Sequence, residues 1–269
     1  MIIDLRGKVA IVTGAGRGIG RHIAMTLAQE GVVTIGTDIR AELLGDLGHA
    51  FAEQQLSGAQ FVCDVRDAKQ IAEVVEEVRS RFGRIDILVN NAGVASGGIV
   101  EELKEEIWDA NMDINMKGTF LMCQAVAPIM REQRSGRILN AASFAAIVPS
   151  YGSAAYASSK AAVKQFTRVL AGELGPYNVT ANCYSPGMIP TEMNHFAEQT
   201  EERQNRLLDT LTLRRWGNKD DIANLICFLA SDLAGYITGT MIDISGGKLA
   251  TQMPATAYEA AARKESLLS

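Results

Sequence analysis

Tyr156 and Lys160 stand four positions apart in Tyr-Ala-Ser-Ser-Lys, inside a helix-prone run, with Ser143 thirteen residues upstream of the tyrosine. Residues four apart share one face of a helix. The spacing therefore sets an ammonium beside a phenol and favours the phenolate. A tyrosine titrates near ~10, so it needs such a neighbour before it can exchange protons close to neutral pH. Taken alone, the pair also reads as a surface tyrosine beside a solvated lysine. Its meaning depends on what accompanies it.

A glycine-rich turn accompanies it. Lys8–Thr13 is a short apolar run that feeds Thr13-Gly14-Ala-Gly16-Arg-Gly18-Ile-Gly20 and then a helical stretch to about Glu30. Glycines between a first strand and a first helix permit positive φ and let backbone N–H groups approach a pyrophosphate at the helix N-terminus. Asp38 follows the second strand, eighteen residues after Gly20. An acidic residue there can accept hydrogen bonds from both adenosine ribose hydroxyls and would repel a 2′-phosphate. The expected cofactor is NAD(H) rather than NADP(H), although Arg17 and Arg40 supply guanidinium groups able to pair with a phosphate.

The elements that must position these residues alternate along the whole chain. Strand patterns at 8–13, 32–37, 60–63, 85–89, 137–140, 179–184 and 241–244 are separated by helical patterns at 41–55, 68–82, 105–131, 156–175 and 219–230. Apolar strands between amphipathic helices imply a parallel sheet covered on both faces. Right-handed crossovers then leave an α/β, doubly wound Rossmann fold with a seven-stranded, mainly parallel sheet. No linker or low-complexity segment interrupts it, so residues 1–248 read as one domain and 249–269 as a C-terminal extension.

Composition bounds the rest. The chain has 269 residues, 47% hydrophobic and 21% charged, as an ordinary globular protein does. A net charge of −5 argues against a protein that tracks nucleic-acid backbones. No apolar run is long enough to span a membrane and no secretory signal is visible. Cys63, Cys123, Cys183 and Cys227 lie sixty, sixty and forty-four residues apart, which fits neither a metal site nor a disulfide framework. A reduced, cytoplasmic setting is the expectation.

The Gly-x3-Gly-x-Gly spacing of Gly14, Gly18 and Gly20, Asn90-Asn91-Ala92-Gly93 after the fourth strand, Asn115, the Ser143/Tyr156/Lys160 set and Pro186-Gly187-Met-Ile-Pro-Thr191 occur in fixed order. Together they resemble the classical branch of the short-chain dehydrogenase/reductase family, over nearly the whole chain to about Gly247. The resemblance implies hydride transfer between a nicotinamide and a carbonyl carbon. In it, Tyr156 is the acid/base, and Lys160 lowers the tyrosine's pKa and binds the nicotinamide ribose. Ser143 holds the substrate oxygen, and Asn115 anchors a water that relays protons. Gly14, Arg17, Gly18, Ile19 and Gly20 would form the cofactor loop, Asp64 and Val65 would lie along the adenine, and Asn91, Ala92 and Gly93 would form a second wall. Pro186, Gly187, Ile189 and Thr191 would hold the nicotinamide carboxamide. The blander readings are a strand-end hydroxyl for Ser143, a helix-kink amide for Asn115 and a helix cap for Asp64. One departure is Ser245, where relatives often carry an acid; no functional consequence is expected from it.

The substrate pocket implied by the resemblance draws on 144–153 and on a mobile stretch from Met188 to about Trp216. Ser150, Tyr151, Ser153, Thr191, Glu192, Asn194 and His195 beside Met188, Met193 and Phe196 suit a small polar secondary alcohol such as a polyol, sugar or hydroxy acid. His195 reads as a surface histidine more readily than as a second base. A 3-oxoacyl-thioester reductase is the rival within the class, and a non-catalytic nucleotide-sensing Rossmann protein the rival outside it. The resemblance also implies a homotetramer. The segment 256–264 has good helix formers, as a frayed surface piece or as one that crosses to a neighbouring subunit.

Overall fold

The computed structural model describes residues 3–192, 198–251 and 253–266. Seven parallel strands form one sheet in the order β3-β2-β1-β4-β5-β6-β7. The strands are β1 (Val9–Thr13), β2 (Val33–Asp38), β3 (Gly58–Val62), β4 (Ile87–Asn90), β5 (Gly136–Ala141), β6 (Val179–Pro186) and β7 (Met241–Ile244). The helices are α1 (Gly18–Gln29), α2 (Ala41–Glu53), α3 (Ala68–Phe82), α4 (Glu105–Asn111), α5 (Gly118–Gln133), α6 (Ala154–Leu174), α7 (Glu201–Leu208), α8 (Lys219–Ala230) and α9 (Ala255–Ser266).

Successive strand side chains point to opposite faces, and each face has its own core. Ala10, Val12, Ile87, Val89, Leu139 and Tyr184 pack with α1, α2 and α8. Val9, Ile11, Ile35, Leu88, Ile138 and Ala181 pack with α3, α5 and α6. Burial on both sides explains why the central strands read as unbroken apolar runs. Strand order reverses between β1 and β4, which opens a crevice at their carboxyl ends.

The segment expected as one helix from 105 to 131 is interrupted. Met112–Lys117 forms a π-helical turn between α4 and α5, with Asn115 inside it. Such turns are rare insertions in α-helices and concentrate at functional sites; helical periodicity alone does not reveal one. Within 188–216, α7 is not evident from the sequence either, and none of its residues is buried. Among the described residues no helix is long and apolar enough to cross a membrane.

The C-terminal extension docks on its own chain. The Ala255 N–H donates to Asp209 Oδ1 at 2.9 Å, the Tyr258 hydroxyl donates to the Thr212 carbonyl at 3.2 Å, and the Arg214 guanidinium lies 5.7 Å from the Tyr258 ring centre. No residue of α9 itself is buried.

Candidate active site

A cleft of about 640 Å³ lies at the carboxyl ends of β1, β2, β4, β5 and β6. It is lined by Gly14, Arg17, Gly18, Ile19, Asp38, Asp64, Val65, Asn91, Ala92, Gly93, Ser143, Tyr156, Lys160, Pro186, Gly187, Ile189 and Thr191. Of the residues picked from the sequence, Gly20 and Asn115 stand just outside that lining. Gly20 packs so closely under the Gly14 carbonyl and the Asn91 amide that a Cβ there would collide with both. Asn115 Oδ1 would lie 2.9 Å from a Cβ on Gly93, and Lys160 Nζ 3.5 Å from it.

One end of the cleft is built for a dinucleotide. Gly14 has φ +64°, the left-handed region in which only glycine is unstrained. The α1 N-terminus at Arg17-Gly18 has no side-chain cap and no acidic residue in its first turn. Two other helices differ, since Asp67 caps α3 and Asn218 with Asp221 forms a capping box on α8, whereas α2 and α6 also begin without a side-chain cap. Gly18 and Ile19 at the start of α1 line the cleft, where a pyrophosphate would satisfy the uncapped donors. Asp38 is 8% exposed and holds the surrounding loops: Oδ2 accepts from the Gly16 N–H at 3.1 Å and Oδ1 from the Arg40 N–H at 3.1 Å. Arg40 Nε lies 3.8 Å from the same carboxylate. Asp64 is not a helix cap, since Asp67 takes that part. The Arg66 guanidinium clamps Asp64, with Nη2 to Oδ2 at 2.6 Å, and holds its carboxyl below the usual range.

Thr13 and Tyr184 belong to the site and were not picked out from sequence. Thr13 Oγ1 accepts from both the Asn91 and Ala92 N–H groups at 3.0 Å, fixing the second wall against the end of β1. Tyr184 is fully buried and donates to Asn91 Oδ1 at 3.3 Å. A hydroxyl residue and an aromatic at the last turns of apolar strands were the available signals. Ile39, 55% exposed between Asp38 and Arg40, also lines the cleft.

Ser143, Tyr156 and Lys160 line the other end. Tyr156 lies in the first turn of α6 and Lys160 one turn on, with Nζ 5.9 Å from the tyrosine ring centre. Ser143 ends the link after β5. Its Oγ accepts from the Ala145 N–H at 3.1 Å, so it does serve local backbone while also lining the cleft. Burial pushes the Tyr156 phenol up, and hydrogen bonding with Ser143 pulls it back. Burial also lowers the Lys160 ammonium to about 8. The charge effect of Lys160 on Tyr156 expected from their spacing is thus not what governs the phenol in this structure; desolvation dominates both groups.

Asn115 is held rigidly. Its Oδ1 accepts from the Val94 N–H at 2.9 Å, and Nδ2 donates to the Val94 carbonyl at 3.0 Å and to Ser159 Oγ at 2.9 Å. Ser159, missed from sequence, in turn donates to the Tyr156 carbonyl at 2.7 Å. The π-turn, the loop after β4 and the first turn of α6 are thereby tied together behind Lys160.

The substrate side differs from expectation. Ser150, Tyr151 and Ser153 do not line the cleft, and Tyr151 is 91% exposed. Their segment turns away to pair with the loop after β4, where the Gly98 N–H donates to the Gly152 carbonyl at 2.9 Å. Phe144 and Glu192 do line it. Met193, Asn194, His195 and Phe196 lie outside the described residues. The four cysteines are buried and unbridged, and among the described residues no cluster of His, Cys, Asp or Glu could hold a metal ion.

A parallel doubly wound sheet with a dinucleotide cradle at one end and a Ser-Tyr-Lys set at the other defines a nicotinamide-dependent oxidoreductase. The chain belongs to the short-chain dehydrogenase/reductase family, in its classical branch. Residues 14–248 match a family model described as enoyl-(acyl carrier protein) reductase. The chain is 40% identical over 243 residues to the 3-oxoacyl-(acyl-carrier-protein) reductase FabG of Thermotoga maritima, covering 90% of this chain and 98% of that one. It is 38% identical over 246 residues to BbsD of Thauera aromatica, a hydroxy(phenyl)methylsuccinyl-CoA dehydrogenase subunit, covering 91% and 98%. Among solved structures it is similar to a gluconate 5-dehydrogenase from Burkholderia cenocepacia in complex with NADP and tartrate, at 30% identity and TM-score 0.89, covering 93% of this chain and 98% of that one.

Proposed function

We propose that this chain is an NAD(H)-dependent oxidoreductase that interconverts a secondary alcohol and a ketone on a small polar substrate. The observation that carries the reaction is the convergence of Ser143, Tyr156 and Lys160 at one end of a cleft whose other end is shaped for a dinucleotide. The dinucleotide, when bound, supplies the hydride acceptor or donor. Tyr156 gives or takes the proton at the substrate oxygen. Ser143 Oγ holds that oxygen and stabilises the charge developing on it. Lys160 holds its ammonium beside the phenol and within reach of a ribose, and a water anchored at Asn115 links it to solvent.

The choice of NAD(H) rests on Asp38, a buried carboxylate at the end of β2 that a 2′-phosphate would have to approach. The gluconate 5-dehydrogenase bound to NADP keeps the opposite preference open to measurement, and Arg17 and Arg40 line the same end of the cleft. A 3-oxoacyl-thioester reductase is the second reading, favoured by the relatives carrying that name. A nucleotide sensor without turnover is disfavoured by the complete Ser-Tyr-Lys set. The working form we propose is a cytoplasmic homotetramer.

The decisive experiment measures NADH or NADPH formation with equal NAD+ and NADP+ over polyols, sugars, hydroxy acids and hydroxyacyl thioesters. Turnover of a polar alcohol with NAD+, lost in Tyr156→Phe while NAD+ still binds, is expected. Turnover confined to thioesters, a clear NADP+ preference, or an unimpaired Tyr156→Phe would refute the corresponding part.

A further inference from the structure

We propose that Tyr258 of α9 is a positioning residue for dinucleotide binding, acting through the segment 209–217 on the cleft wall at 187–189. This rests on the reading of the cleft as a dinucleotide site. It gives a part in that site to the C-terminal extension, which lies past residue 248, where the match to the family ends.

The segment after α7 is tied to the loops that follow β7 and β6. Near its start, the Leu213 N–H donates to the Gly246 carbonyl at 3.0 Å and Thr212 Oγ1 donates to the Gly247 carbonyl at 3.1 Å. Farther on, the Gly217 N–H donates to the Met188 carbonyl at 3.1 Å. A Cβ on Gly217 would collide with Ile189 Cδ1, so the segment lies directly against a residue that lines the cleft. A cavity of about 200 Å³ separates these attachments. Leu213, Arg215 and Gly217 line it from the segment, and so do Gly187 and Ile189, which also line the cleft. Close packing does not support the backbone across that space. Its course depends on contacts made from outside.

The C-terminal extension makes such contacts. The Tyr258 hydroxyl donates to the Thr212 carbonyl at 3.2 Å, the Ala255 N–H donates to Asp209 Oδ1 at 2.9 Å, and Thr251 Oγ1 pairs with Thr212 Oγ1 at 2.6 Å. The Tyr258 ring centre lies 5.7 Å from the Arg214 guanidinium, and Asp209 Oδ1 lies 3.7 Å from Arg214 Nε. Arg214 has φ +44°, which is uncommon for a residue with a side chain. Such a conformation persists where surrounding contacts impose it, and here Tyr258 and Asp209 engage the side chain. Leu211 is 1% exposed, so the root of the segment belongs to the core. What α9 sets is the course of the backbone beyond it, and with that the position of the wall a dinucleotide meets. A wall already held in place costs less ordering when the ligand arrives. No residue of α9 is buried, and a helix of twelve residues is marginal by itself. The helix and the segment therefore order one another.

The test reads binding and local exchange rather than turnover, so it stands apart from the reaction assignment. NAD+ and NADP+ are each titrated into the full chain and into Tyr258→Ala and Tyr258→Phe, and amide hydrogen exchange is followed before either is added. Tyr258→Ala is expected to weaken the tighter dinucleotide by about threefold to tenfold, the worth of one such hydrogen bond. It should also speed exchange at 187–189 and 212–217 while α6 keeps the parent's rates. Tyr258→Phe keeps the ring beside Arg214 and loses the hydroxyl, so it should fall between the two. Parental affinity in Tyr258→Ala, unchanged exchange at 187–189, or a loss confined to the unfolding temperature overturns the proposal. If Tyr258→Ala does not fold, Tyr258→Phe decides by the same readouts. Binding of neither dinucleotide by the parent refutes the reading of the cleft instead, and exchange at 187–189 then decides alone whether Tyr258 holds the wall.

Discussion

Lys160 donates from Nζ to the backbone carbonyl of Ala141 at 2.8 Å, joining α6 to the end of β5 across nineteen residues of sequence. The sheet, and not the tyrosine, fixes where this ammonium stands. It is 5% exposed and its pKa is depressed to about 8, so the fold bears the cost of a buried charge at neutral pH.

Lys160→Met should therefore stabilise the protein while stopping turnover. The sign follows from linkage. The folded pKa lies below the unfolded value of 10.5, so the unfolded chain holds more protons between about 8 and 10.5 and stability rises with pH across that window. Below it the full cost is present, on the order of 3 kcal/mol before the lost hydrogen bond to Ala141 is subtracted. We expect Lys160→Met to melt several degrees higher at pH 7, with the advantage shrinking as pH climbs toward the unfolded value. A melting temperature lower than the parent's at pH 7 would contradict this.

Ser159→Ala tests the tie behind the site. Removing Oγ takes one acceptor from Asn115 Nδ2 and one donor from the Tyr156 carbonyl, in a place with no exposure. A loss of about 1–3 kcal/mol in urea unfolding is expected. Displacement of the tyrosine should also lower kcat by about tenfold or more, with the dinucleotide KM little changed. A stability loss with full kcat would reduce Ser159 to a packing role.

Much of this was legible in the residues. Seven strands and their order along the chain follow from apolar runs, because strands buried on both faces cannot hide. The Gly14–Gly20 turn and the Ser143/Tyr156/Lys160 set declare themselves by type and spacing. The π-turn around Asn115 was not legible, since Met112–Lys117 continues a helical pattern and only its hydrogen bonding differs. Nor was Thr13, whose importance is two N–H groups brought to it from β4, far along the chain. Tyr151 misled for a related reason: sequence places it near Ser143, while the pairing of Gly98 with Gly152, far apart along the chain, carries it into solvent. The contacts of Tyr258 with Thr212 and Arg214 tie the extension to the segment after α7 through partners that no local pattern can pair.

Asp38→Asn probes cofactor choice with little change of shape. Asparagine keeps one oxygen to accept from the Gly16 or Arg40 N–H but removes the charge. We expect kcat/KM with NAD+ to fall and the NADP+ to NAD+ ratio to rise by about tenfold or more, since one unfavourable charge contact of roughly 1.4 kcal/mol is worth that factor. Arg40, already 3.8 Å from the carboxylate through Nε, would then be available to a 2′-phosphate. An unchanged ratio would remove Asp38 as the selecting residue.

Glu192→Gln addresses the pyrophosphate of the same cofactor. The Glu192 Oε2 atom would lie 3.7 Å from a Cβ placed on Gly18, at the uncapped N-terminus of α1. A carboxylate is favourable beside those N–H groups, but a pyrophosphate seeks the same place and carries like charge. Binding must therefore displace Glu192 or bear its repulsion. Neutralising it should lower the dinucleotide KM by about threefold at low salt, a screened like-charge contact being worth somewhat under 1 kcal/mol at this range. The gain should fade as ionic strength approaches 1 M, where the Debye length falls to about 3 Å. A higher KM in Glu192→Gln at every salt concentration would show instead that the carboxylate holds the cofactor.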